Sequence, residues 1–189
     1  MFDCFSKEKS DFLKKRDKSK KGCVDKDIKE IINIINSRKD YYTTSSCSGR
    51  IVLLERLFRK KNESNWIFVK HYKIKFNEIK NHLKNKIKNE IWFKQEPLIL
   101  HVRCRGLKSA KELLDASRKI FKRAGIISLN DKKIVVEIIG TERIDAIIAD
   151  RNFVVDKKYL KNLVKYANRN FEENKRKGEM FLKIIRSNL

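Results

Sequence analysis

Residues 92–105, WFKQEPLILHVRCR, read as one extended β-strand that Gly106 brings to an end. Alternation along its second half puts Ile99, His101, Arg103 and Arg105 on one face. Leu98, Leu100, Val102 and Cys104 take the other. Immediately downstream, SAKELLDASRKIFKRAG (residues 109–125) has the apolar period of an amphipathic helix, with Ser109 as cap and Gly125 as stop. A half-apolar strand leading into a helix of this kind points to a sheet packed on helices.

Working outward, KKIVVEIIG (132–140) and ERIDAIIAD (142–150) read as two more strands, joined too tightly for a parallel crossover. From Asp156 onward the pattern is one long helix, with Leu160, Leu163, Val164, Ala167 and Phe171 inside. Upstream, RIVLLERLFRK (50–60) and NWIFVKHYKIKF (65–76) are strands, followed by a polar helix near 77–89. DKDIKEIINIINSR (25–38) is a helix with Asp25 as N-cap and Ile28, Ile31, Ile32 and Ile35 buried. With one proline, six unclustered glycines and no linker or repeat, residues 1–189 are expected to form one domain. Its class is α+β: a mixed or antiparallel sheet, open to barrel-like closure, flanked by helices and a long C-terminal helix.

The net charge of +23 is the strongest bulk signal. It suits a polyanionic partner, nucleic acid first, although the Lys/Asn/Ile usage of an AT-rich genome accounts for part of it. No apolar run approaches the ~20 residues of a membrane helix, and the charged start has no signal core, so a cytoplasmic protein is expected. Cys4, Cys23, Cys47 and Cys104 are far apart and include no C-x-x-C pair. This predicts reduced thiols and no zinc site.

Candidate chemistry falls in three places. The His101–Arg103–Arg105 row is costly to bury unpaired, so either a structural carboxylate or an anionic ligand must answer it. In WIFVKH (66–71), alternation groups Ile67, Val69 and His71 opposite Trp66 and Phe68. His71 is either a core histidine or a proton acceptor, and His82 an exposed one. YYTTSSCSGR (41–50) packs hydroxyls ahead of a Gly-Arg pair, the composition either of a polar turn or of an anion-binding backbone nest. No G-x-G-x-x-G, G-x-x-x-x-G-K-[ST] or H-E-x-x-H occurs, so a nucleotide-like cofactor is not held on a Rossmann turn.

The ordered set YYTTSSCSGRI, WIFVKH, EPLILHVRCR and YLKNLVKYANRNFEENKRK, preceded by GCVDKDIKEIINIIN, resembles the Tyw3-like family of wybutosine-synthesising tRNA methyltransferases over nearly the full chain. The resemblance implies transfer of a methyl group from S-adenosylmethionine to a ring nitrogen of the 4-demethylwyosine base beside the anticodon of tRNA(Phe). It also implies a non-Rossmann fold and the compact form found in archaea. On this reading Ser45, Ser46, Ser48, Gly49 and Arg50 bind the methyl donor, its carboxylate above all. His101 and His71 orient the base or accept a proton. Tyr41, Tyr42 and Trp66 stack on the base, and Arg103 and Arg105 hold tRNA phosphate. Asp25 and Asn168 lie in matching segments, as a cap and as a structural or pocket-closing residue. A monomer without metal is expected. The competing readings are a non-catalytic tRNA-binding protein and another RNA-modifying transferase using the same donor.

Overall fold

The computed structural model describes residues 3–14, 24–57, 64–83 and 87–188. Most of the basic run 14–21, and Cys23, lie outside the described residues. The first elements are α1 (Cys4–Leu13), α2 (Lys26–Ser37), β1 (Tyr41–Cys47), β2 (Arg50–Arg56), β3 (Ser64–Lys70) and α3 (Phe76–Lys80), which a short 3₁₀ turn (Asn81–Leu83) extends. Then come β4 (Glu90–Glu96), β5 (Ile99–Cys104), α4 (Leu107–Arg118), β6 (Gly125–Asn130), β7 (Lys133–Ile139), β8 (Ile144–Ala149) and α5 (Lys157–Asn188).

The fold is α+β, with two four-stranded sheets in the orders β1-β5-β7-β6 and β3-β2-β4-β8. Every strand pairing among these is antiparallel, unlike the parallel sheet of a Rossmann enzyme. The chain divides into two compact units built from separated segments. The first comprises 1–48, 98–141 and 175–189; the second comprises 49–97 and 142–174.

In the first unit, α2 turns Ile28, Ile31 and Ile35 onto Leu100, Val102, Val136 and Ile138 of the sheet; α4 adds Leu113, and α5 adds Phe181 and Ile185. Each of these is almost completely buried. At ~25 cal/mol per Å² such burial is the main force holding the unit together. In the second unit, Ile51, Leu53 and Phe93 of the sheet pack with Ile79 of α3, Ile148 of β8 and Leu160, Leu163, Val164 and Ala167 of α5.

Four stretches depart from the sequence reading. Residues 92–105 are not one strand: Pro97 separates β4 from β5, and each joins a different sheet. Proline has no N–H to give a ladder, so the chain leaves one sheet there and enters the other. Residues 41–47, whose hydroxyls suggested a turn, form β1, and Gly125 opens the edge strand β6 instead of ending a helix. Helix α4 stops at Arg118, and its N-cap is Gly106. Ser109 instead closes the first turn, its Oγ accepting from Gly106 N at 3.1 Å and donating to Gly106 O at 2.9 Å.

Candidate active site

In the first unit, β5 alternates as its sequence predicts: Leu100, Val102 and Cys104 enter the core, while His101 and Arg103 face away from it. Carboxylates answer the whole cationic row. His101 Nε2 lies 3.0 Å from Oε2 of Glu137, its register partner on β7. Arg105 pairs with Asp40 at 2.5 Å and with Asp3. Arg103 donates to the carbonyls of Cys104 and Lys132 and to Glu8. The Phe5 ring lies beneath both guanidinium groups, 5.3 Å from Arg103 and 4.7 Å from Arg105. Asp3, Phe5 and Glu8 all belong to α1 or its cap.

Arg103 is therefore not available to tRNA phosphate: it is 5% exposed and its donors are taken. Arg105 is likewise engaged, and the Arg105 guanidinium holds the Asp3 carboxyl down to about 2. Tyr41 and Tyr42 also fail as stacking platforms, being 3% and 2% exposed. Tyr41 donates to Ser109 O at 3.0 Å and Tyr42 to Glu8 at 2.7 Å. Burial pushes both phenols above their usual range.

What stays open on this face is the rung on which Ser45 of β1, His101 of β5 and Glu137 of β7 are consecutive register partners. A β-bulge between Thr43 and Ser45 brings Ser45 into that row. Ser45 is exposed; His101 and Glu137 are partly exposed. A carboxylate only accepts, so in the neutral imidazole the bond to Glu137 places the hydrogen on Nε2 and the lone pair on Nδ1. The row offers a hydroxyl and an oriented imidazole.

Ser48 lies at the end of the same stretch. Its N–H and Oγ donate to Asp25 Oδ2 at 3.0 and 3.1 Å, and both residues are buried. Asp25 is at the N-cap of α2, but its carboxylate makes no cap hydrogen bond there. Ser48 is thus corrected as a holder of a ligand carboxylate, because its donors are spent on a fixed negative charge. The pair suits a cationic group instead.

In the second unit, Gly49 has φ 104°, a backbone conformation that favours glycine in the turn from β1 to β2. Arg50 pairs with Glu96 at 2.5 Å and stacks 4.3 Å over the Trp66 ring, which is 41% exposed. A bulge in β3 pairs Trp66 with Leu54 and Phe68 with Leu53, so Trp66 and Phe68 point to opposite faces, contrary to simple alternation. His71 lies just beyond β3, so the strand rule does not govern it. His82 is exposed and meets Phe68 edge-on.

Sequence reasoning missed two groups. Glu137 is the one acid in the otherwise apolar run IVVEII of β7. Gln95 is fully buried; Asn170 Nδ2 donates to its Oε1 at 3.1 Å, and its own Nε2 donor has no partner among the described residues. An unpaired buried donor costs about 1–3 kcal/mol, so Gln95 is an expensive residue in the core of the second unit. Only register, invisible in one strand's sequence, reveals either.

A family model described as "Methyltransferase TYW3" matches residues 7–187, across both units. A zebrafish (Danio rerio) relative called "tRNA wybutosine-synthesizing protein 3 homolog" is 35% identical over 99% of this chain and 76% of its own. A Methanocaldococcus jannaschii relative called "tRNA(Phe) 7-((3-amino-3-carboxypropyl)-4-demethylwyosine(37)-N(4))-methyltransferase" is 39% identical over 79% of each chain. The solved structure of PH1069 protein from Pyrococcus horikoshii OT3 superposes with a TM-score of 0.84 and 30% identity, covering 98% of this chain and 95% of that one.

Proposed function

The chain belongs to the methyltransferase TYW3 family, and from that premise we propose that it methylates N(4) of a 4-demethylwyosine-type base at position 37 of tRNA(Phe), as the archaeal relatives' names describe for them. It is a tRNA methyltransferase of wybutosine biosynthesis. The methyl donor is proposed to be S-adenosylmethionine. When bound, that molecule supplies an electrophilic methyl on a sulfonium. The acceptor in this reading carries the aminocarboxypropyl chain, and the enzyme works as a cytoplasmic monomer.

The observation that carries the chemistry is the Ser45–His101–Glu137 row. As the acceptor nitrogen gains a methyl it must lose a proton. His101 Nδ1, its lone pair fixed by Glu137, is the group proposed to take it. Ser45 and Ser46 donate to the acceptor ring or to the donor's amino-acid end. The test of fit to S-adenosylmethionine is chemical: buried Asp25, backed by Ser48, is an acceptor of the right sign for an ammonium or sulfonium. Gly49 shapes the turn that follows β1. Alignment of the two reacting centres supplies most of the acceleration, ~7–11 kcal/mol at best.

The test is mass spectrometry of nucleosides from tRNA(Phe) carrying the demethylated base, after incubation with enzyme and S-adenosylmethionine. One methyl is gained in wild type. His101→Ala slows the gain by ~10²–10⁴-fold with the fold intact, and Glu137→Gln slows it less. Gain of an aminocarboxypropyl group, or no gain, overturns the reading.

A further inference from the structure

Helix α5 opens with KKYLKNLVKYANRNF, residues 157–171, which holds five cations and no acid. Its buried side is accounted for by Leu160, Leu163, Val164 and Ala167 in the core of the second unit. At 3.6 residues per turn, Lys158, Asn162, Lys165 and Arg169 form one stripe on the opposite side. Tyr159 and Tyr166, seven residues apart, run alongside it, 46% and 47% exposed.

Stability does not explain this stripe. Lys157 and Lys158 sit in the first turn, where the helix dipole disfavours positive charge, and the first turn has no acid. Among the described residues, the second unit's ion pairs, Arg50–Glu96, Lys73–Glu172, Lys94–Asp145 and Arg143–Asp145, leave the stripe out. Arg169 instead lies over the Tyr166 ring, 4.9 Å from its centre.

A concavity is built beside it. Asn168 grips both backbone polar groups of Ile74, accepting from its N–H at 2.9 Å and donating to its carbonyl at 2.8 Å. This holds the turn bearing Lys73 against α5. The resulting depression, of about 560 Å³, is lined by Lys73, Lys165, Tyr166, Asn168, Arg169 and Glu172. Asn168 thus has a defined role: it sets the wall of a cationic groove.

We propose that the exposed face of the first half of α5, Lys158–Lys165–Arg169 with Tyr159 and Tyr166 and the Lys73 depression, is the track on which the phosphate backbone of the substrate tRNA lies. This rests on the tRNA reading above and adds the surface. Lys158, Lys165 and Arg169, in line and with no ion pair among the described residues, match a polyanion, and the tyrosines offer ring faces to unpaired bases of a loop. The absence of a large aliphatic side chain on the stripe distinguishes it from a membrane-seeking helix.

The experiment is binding of tRNA(Phe) transcript across a salt series, with wild type, Lys165→Glu/Arg169→Glu, and a charge-matched control, Lys111→Glu/Lys122→Glu, on the first unit. The track variant is expected to lose at least about tenfold in affinity and to flatten the log–log salt slope by roughly 1.4–1.8 for two lost phosphate contacts. The control should keep the wild-type slope. Tyr166→Ala should weaken binding about fivefold or more with the slope unchanged. If the reversal lowers the melting temperature, Lys165→Gln/Arg169→Gln gives the same slope reading with less perturbation. Equal losses in track and control variants overturn the proposal. So does unchanged tRNA binding, or loss only of binding to phosphatidylserine vesicles. Because binding is read without catalysis, failure of methyl transfer leaves the result interpretable.

Discussion

Two cationic rows in this protein look alike in sequence and differ in physics. At the end of β5, Arg103 and Arg105 are met by Glu8, Asp3 and Asp40 and lie over Phe5, all supplied by the first unit itself. On α5, Lys158, Lys165 and Arg169 stand at the surface, with tyrosines rather than carboxylates for company. The first row is consumed in holding α1 and the strand ends together; the second is left to act on something outside. A net charge of +23 says nothing about this division. Burial and pairing decide it.

The sharpest way to break the contrast is to remove one cation from each row. Arg103→Ala removes the donors to the buried carbonyl of Cys104 and the part-buried carbonyl of Lys132 and should cost about 2–3 kcal/mol in urea unfolding. Lys165→Ala should stay within about 0.5 kcal/mol of wild type, as for other exposed side chains. Equal costs would erase the distinction.

A smaller effect comes from pH. Burial pushes the Cys104 thiol up to about 12, and Tyr41 and Tyr42, flanking the same ladder, are raised too. The folded state therefore favours the protonated forms. That stabilisation is complete below pH 9, the thiol's ordinary value, and is lost as pH climbs toward 12. The unfolding free energy should fall above pH 9, by on the order of 1–2 kcal/mol at pH 10, read from urea titrations. A thiol reagent should label Cys104 only after unfolding.

The smallest prediction compares the two halves of α5. Gly178 lies in its second half, where an added Cβ meets Leu98 Cδ1 at 3.5 Å and Ile31 Cδ1 at 3.8 Å, ordinary contacts. Gly178→Ala should raise stability by about 0.5–1 kcal/mol. tRNA affinity should not change, because the proposed track lies in the other half.

Much of this was legible in the chain. The isoleucine spacing of α2, the alternation of β5 and the apolar face of α5 appear where periodicity puts them. Legibility failed where tertiary pairing overrode local composition. Hydroxyls in YYTTSSC resemble a turn until β5 offers a ladder, and β6 carries mostly exposed residues that leave no two-residue signal. For the candidate site, His101 was visible as an oddity on its strand, but its partner is 36 positions away and emerges only from register. Bulges at Ser45 and Trp66 shifted side chains by one position, which no count of alternation foresees.

The first unit is built from three separated segments, and Phe181 and Ile185 of α5 complete its core. During synthesis, therefore, the isoleucines of α2 must wait for side chains translated after the whole second unit. Helix α2 and strand β1 emerge with their apolar faces uncovered, and the second unit's strands follow before the missing aromatic arrives. Vectorial folding thus cannot finish the domain piecemeal, and a ribosome stalled within α5 would hold a nascent chain whose earliest core is still open, a natural client for chaperones.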